Sequence, residues 1–248
     1  MVITSFVPLT MESGKTSIAI GFVDALSSIG NNVLFLNFNF FYNESNLLTS
    51  YCDGTFTKYI NKKKKLSDII TRVHSTNFDL INISKTDYDW LMTMDKHSLS
   101  TLISNFIKSI SNLKKYDVLF INFFSSTIND LNQVLVNHTN SLYFITNPAF
   151  VEKQNITLVL KYIGISNIKK TNFFILFNKF IKLSKQANEI IEQFKLTFPS
   201  FLIEYHIPIM DELLKLNNLS INKNEFFMNS LYKLRPLFLE IIKSLNFK

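Results

Sequence analysis

Seven short runs of nearly unbroken apolar sequence recur along this chain, and they constrain its fold more than any other feature. They are Val2 to Val7, Asn32 to Phe38, Phe78 to Ile83, Asp117 to Phe123, Ser141 to Thr146, Asn172 to Phe177 and Phe201 to Ile207. Continuous rather than alternating apolarity suits strands covered on both faces. Between the runs lie stretches with apolar residues at helical spacing: Thr16 to Ile29, Ser98 to Leu113, Ile128 to Val136, Phe150 to Ile163, Ser184 to Leu196 and Glu225 to Leu245. Strand-helix alternation of this kind predicts an α/β fold, a doubly wound and mainly parallel sheet of about seven strands, with helices on both faces and right-handed crossovers. With 47% hydrophobic residues the chain can bury a sizeable core. No internal repeat and no Pro/Gly/Ser-rich linker interrupts it, so residues 1–248 read as one domain, with a C-terminal helix over 225–246 packed on it or peripheral.

The first apolar run ends at Val7-Pro8, and Leu9-Thr10-Met11-Glu12-Ser13-Gly14-Lys15-Thr16 leads into the first helical stretch. A strand, a loop, then Gly-Lys-Thr opening a helix is the setting of a phosphate-binding P-loop. Backbone N–H groups at the helix N-terminus face phosphate oxygens, the lysine reaches the outer phosphates, and the threonine hydroxyl binds Mg²⁺. The bare pattern is incomplete, because Leu9 stands where the first glycine belongs.

Other features limit the field. A net charge of +7 favours anionic partners such as nucleic acid or an acidic membrane surface, although all but two of the 26 basic residues are lysine, which also fits a biased composition. The single cysteine, Cys52, rules out a disulfide framework and fits a reducing cytoplasm. No signal-peptide pattern and no run of about 18 apolar residues is present, so a cytoplasmic protein, at most peripheral to a membrane or the nucleoid, is expected. His74, His97, His138 and His206 are scattered without metal-ligand spacing. Asp130, Asp211 and Glu212 read as helix caps, and Lys62 to Lys65 as a solvated turn before a helix at Leu66. The stretch from Leu231 to Lys248 mixes basic and apolar residues in the manner of an interfacial helix, and Pro236 at its centre predicts a helix restarted there.

Several blocks resemble the ParA/MinD family of P-loop ATPases, in order and at the family's spacing. NNVLFLNFNFFYNESNLLTSY is similar to the family's second strand and following loop, and YDVLFINFF to its Walker B strand. SLYFITNPAFVEKQNITLVLKYIGISNIKKTNFFILFNKF is similar to the segment that ends in a base-reading asparagine, and YHIPIMDELLKLNN to the last strand with its Ile-Pro turn. The resemblance implies ATP as cofactor. It implies that Ser13, Gly14, Lys15, Thr16 and Ser17 cradle phosphate, that Asn178 and Pro208 line the adenine pocket, and that Thr16 holds Mg²⁺.

The departures are concentrated in the same site. Thr10 stands where the family's signature lysine would reach a partner's phosphates. Asn37 and Asn39 stand at the two second-strand aspartates, one near Mg²⁺ and one that positions the attacking water, and Asn122 at the Walker B aspartate. Met11 and Glu12 replace two loop glycines. An asparagine is nearly isosteric with aspartate but brings no charge to a metal, so the Mg²⁺ positions at Asn37 and Asn122 and the catalytic positions at Lys15, Asn39 and Thr10 form a degenerate set. The resemblance thus implies a pseudo-ATPase, degenerate or weakly active, that with or without bound ATP, and with Mg²⁺ in doubt, scaffolds or regulates the positioning or partition of a cellular assembly. The alternatives are an active partition ATPase cycling on DNA or membrane, and a non-specific DNA-binding module using Lys161, Lys169, Lys170, Lys179 and Lys182. Implied partners are a second copy or an active paralogue, DNA or an anionic membrane surface, and a protein of unknown identity.

Overall fold

The computed structural model describes residues 1–10, 13–39, 55–73, 78–125, 127–150, 152–166, 170–180, 185–201, 207–208 and 223–244. Its elements run β1 (Val2–Pro8), α1 (Lys15–Ser28), β2 (Val33–Asn37), α2 (Thr55–Ile60), a 3-10 turn (Leu66–Ile69), β3 (Thr71–Arg72), β4 (Asp79–Asn82), α3 (Lys85–Met92) and α4 (Lys96–Asn112). They continue with β5 (Val118–Asn122), α5 (Asp130–Asn137), β6 (Ser141–Thr146), a 3-10 turn (Pro148–Phe150), α6 (Lys153–Ile165), β7 (Asn172–Phe180), α7 (Lys185–Thr197), β8 (Ile207–Pro208) and α8 (Lys223–Ser244). Among the described residues the sheet has eight strands in the order β3-β4-β2-β5-β1-β6-β7-β8. Seven are parallel, and two-residue β3 adds an antiparallel edge on β4. The expected strand over Phe201 to Ile207 is confined to Ile207–Pro208 among the described residues, with Phe201 in a turn.

Side-chain alternation along each strand divides the core in two. Phe6, Phe35, Phe120, Tyr143 and Leu176 face α1 and α8, whereas Leu36, Ile81, Ile121, Phe144 and Ile175 face α2 and α4 to α7. On the α1 side aromatic rings pack against one another. Phe6 stacks on Phe120 and Tyr143 at centroid distances of 5.4 and 5.1 Å, Tyr143 stacks on Phe174 at 4.8 Å, and Phe22 of α1 meets Phe6 and Tyr143 edge-on. Such pairs add about 0.5–1.5 kcal/mol each beyond the area they bury. They lock α1, the helix that follows the loop, onto the central strands.

Helix α8 lies on α1 and is not a free amphipathic segment. Phe238, Ile241 and Ile242 are buried, and Arg235 pairs with Asp24 of α1 at 2.8 Å while stacking 4.5 Å over the Tyr232 ring. The helix continues through Pro236 instead of restarting there. Proline removes one i→i−4 bond, but the packed flanks hold the helical path. None of the described helices is long and apolar enough to cross a membrane.

Close approach of the two helices requires a glycine. A Cβ placed on Gly21 would lie 2.2 Å from the Phe238 ring, whereas one on Gly164 in α6 meets nothing within 4 Å. Gly21→Ala is therefore expected to lower unfolding free energy by about 1–3 kcal/mol through overpacking. Gly164→Ala should instead raise it by roughly 0.5–1 kcal/mol through backbone entropy. Urea unfolding of the two variants beside the wild type measures both; equal shifts would contradict the packing described.

Candidate functional site

The strand register assembles a row of asparagines at the C-terminal end of the sheet. Asn82 of β4, Asn37 of β2 and Asn122 of β5 are direct register partners across three adjacent strands. By the same alternation that places Phe35, Leu80 and Phe120 on the α1 side, all three side chains share that face, where α1 begins. In open parallel sheets this edge, outside the carboxyl ends of the strands, is where ligands bind.

Helix α1 opens with Gly14 at φ 70°, a left-handed conformation that glycine takes without steric cost. Gly14 makes no side-chain cap and the first turn carries no acidic residue, so the dipole and N–H groups of this end favour an anion. Asparagine side chains hold the loop in place. Asn178 of β7 donates to the Ser13 carbonyl at 2.7 Å, and Asn155 of α6 donates to the Leu9 carbonyl at 2.6 Å while accepting from the Glu152 N–H at 2.7 Å. Thr10 is 8% exposed and its hydroxyl accepts the Asn147 N–H at 3.0 Å.

Lys15 points into the protein. It is 5% exposed, and its ammonium donates to Asn122 Oδ1 and, at 2.5 Å, to the Phe123 carbonyl. That first bond orders the amides beyond it. With its oxygen on the ammonium, Asn122 turns Nδ2 the other way, to Asn37 Oδ1 at 2.7 Å and Thr16 Oγ1 at 3.2 Å. Asn37 Oδ1 also accepts the Asn39 N–H at 3.2 Å, which leaves Asn37 Nδ2 to donate to Asn82 Oδ1 at 2.9 Å and the Asn39 carbonyl at 3.2 Å. Asn39 Nδ2 donates to Thr16 Oγ1 at 2.7 Å. Flipping Asn122 would set an N–H₂ against the ammonium, donor against donor, so the charge of Lys15 fixes the polarity of the row.

This arrangement does not fit Mg²⁺, the ion that the P-loop setting implies. Mg²⁺ takes six oxygen ligands in near-ideal octahedral geometry and is usually anchored by one or two carboxylates. No carboxylate lies in the cluster described, and none of the described residues form a group of three His, Cys, Asp or Glu that could hold a metal. The Thr16 hydroxyl, the oxygen a metal would need first, already accepts from two amide N–H₂ groups, and these present positive hydrogens where a cation would sit. A buried carboxylate of the sheet lies at its other end, where Asp79 meets Lys115 at 2.5 Å, Tyr116 at 2.8 Å and Arg72 at 3.1 Å. Burial would raise the Asp79 carboxyl, but those three partners outweigh it and hold it below the usual carboxylate range.

The structure thus brings Thr10, Ser13, Gly14, Lys15, Thr16, Asn37, Asn39, Asn122 and Asn178 to one edge, with half-buried Ser17 in the first turn of α1. Pro208 closes β8 in register with Phe180 of β7. Met11, Glu12, Asp211 and Glu212 lie outside the described residues. Asn82, Asn147 and Asn155 were not singled out from sequence; for Asn82 the available signal was that β4, like β2 and β5, ends in an asparagine. Asn122→Ala should cost about 1.5–3 kcal/mol because it takes a hydrogen bond from a buried charge, whereas Asn82→Ala removes a neutral one worth roughly 0.5–1.5 kcal/mol. Equilibrium unfolding in urea checks the order, and an Asn82 variant that proves the more damaging would contradict the network described.

No protein-family model matches the sequence, and no curated protein matches it. Solved structures do match over nearly the whole chain. An ATP complex of a Cyanothece McdA variant superposes with a TM-score of 0.74 at 15% identity, covering 100% of this chain and 97% of that one. A ParA family ATPase from Chlorobium tepidum TLS gives a TM-score of 0.61 at 16% identity over 93% and 98%. The MinC:MinD cell division complex of Aquifex aeolicus gives 0.63 at 13% identity over 94% and 95%. The chain has the fold of the ParA/MinD P-loop ATPases.

Proposed function

We propose that this chain is a pseudo-ATPase of ParA/MinD ancestry, which takes nucleotide phosphate at the start of α1 without hydrolysing it and acts as a scaffold or regulator in positioning a cellular assembly. One observation carries the reading: among the described residues, the buried cluster around Thr16 is built from amides and one lysine, with no carboxylate among them. Phosphoryl transfer in P-loop proteins needs a metal clamp on the phosphates and a group that positions the attacking water. Asn37 and Asn122 bring no charge to a metal, and Asn39 spends its amide on Thr16. Thr10 is tied to Asn147 of its own chain and supplies no cation to a neighbour's phosphates; cationic groups of that kind are worth about 10³–10⁵ in rate.

What remains suits binding. Gly14 and the N–H groups of the first turn would hold phosphate oxygens, with the Lys15 ammonium turned to Asn122 and Phe123, and Asn178 fixes the loop at Ser13. Asn178 and Pro208 are the residues proposed to border the base. McdA in complex with ATP and a diamide synthase with ADP and magnesium share the fold, which supports a nucleotide ligand. A fold kept without turnover leaves its surface as the working part, offered to a second copy, to an active paralogue or to another protein, as MinD is seen with MinC.

Turnover is the direct test. ATP should bind in the micromolar range by calorimetry, while phosphate release stays at the level of a Lys15→Ala preparation, with and without Mg²⁺. Release well above that background would refute the proposal.

A further inference from the structure

The divalent-cation position is more than weakened in this chain. We infer that the amide row replaces the metal, so that the phosphate edge excludes divalent cations and takes its anion metal-free. The second half of this rests on the reading of the site given above; the first half does not.

Lys15 holds Asn122 by its oxygen, so the Asn122 N–H₂ must face Thr16 and Asn37. That fixes the Asn122 N–H₂ on Thr16 Oγ1 at 3.2 Å, and the Asn39 N–H₂ meets the same oxygen at 2.7 Å. A cation binding there would displace both donors and meet their hydrogens. Of the amide oxygens in the Asn82, Asn37 and Asn122 row, Asn122 Oδ1 is on the ammonium, Asn37 Oδ1 accepts two N–H groups and Asn82 Oδ1 accepts one. Freeing any of them breaks a bond in a buried network, where an unpaired polar group costs about 1–3 kcal/mol.

Charge balance points the same way. A carboxylate at position 37, 39 or 122 would repel a phosphate on α1 and call for a cation between them. Amides do not. The anion then faces a helix N-terminus with no acidic residue in its first turn, while Lys15 stays on Asn122 and the Phe123 carbonyl. The site's ligand is therefore a free polyphosphate anion, such as uncomplexed ATP or ADP, rather than its magnesium salt.

The test uses the full chain in two arms. In the first, Mn²⁺ is titrated without nucleotide and followed by electron paramagnetic resonance. The wild type should leave the free-ion spectrum undiminished, and Asn37→Asp/Asn122→Asp should retain Mn²⁺, with circular dichroism confirming that it is folded. In the second, ATP is titrated in EDTA and in Mg²⁺, and the two dissociation constants should agree within about threefold. Mn²⁺ held by the wild type, a larger loss of ATP affinity in EDTA, or a folded double variant that gains no Mn²⁺ overturns the inference. Should ATP bind in neither buffer, the nucleotide ligand falls, and the Mn²⁺ arm alone decides whether the cation is excluded.

Discussion

A buried ammonium is the constraint on which the working edge of this protein depends. Lys15 leaves water at the start of α1, and an unpaired charge there would be costly, so the chain must supply acceptors. It supplies the Phe123 carbonyl and the Asn122 amide oxygen, both from the end of β5. The remaining polarity follows, from Asn122 to Asn37 and Thr16, and from Asn37 to Asn82. The result is a junction of α1, β2, β4 and β5 held by neutral amides around one charge.

The junction works because the sheet presents its strands in the right register and α1 is fixed against them. Asn82, Asn37 and Asn122 meet only because β4, β2 and β5 are parallel and aligned at that level. The aromatic band of Phe6, Phe120, Tyr143 and Phe22 binds α1 to the sheet, and Phe238 over Gly21 binds α8 to α1. Asn178, Asn155 and Asn147 tie the loop to the other half of the sheet, so the row and the loop are supported from both sides.

Much of this was legible in the sequence, and the exceptions have physical reasons. Continuous apolar runs marked the buried parallel strands, because both faces are covered. Two-residue β3 carries no periodicity to detect, and short α2 and α3 owe their position to tertiary contacts, with Asp87 accepting from Ser84 at 2.9 Å and Thr57 at 2.8 Å. Pro236 suggested a break that packing overrode. In the site, Gly14-Lys15-Thr16 and the asparagines at 37, 39, 122 and 178 could be placed by resemblance, as could Thr10. Asn82 could not, since its role arises from register with Asn37 and not from a motif. The orientation of the Asn122, Asn37 and Asn82 amides was also beyond sequence; it follows from where the Lys15 side chain goes.

A crystal structure of the protein grown with ATP and excess Mg²⁺, at a resolution that distinguishes metal from water, tests the account most directly. It should show the nucleotide phosphates on α1 with no metal at Thr16 Oγ1, and the Asn122 and Asn39 amide nitrogens still on that hydroxyl. An octahedral ion bound to Thr16 and bridging the phosphates would contradict it.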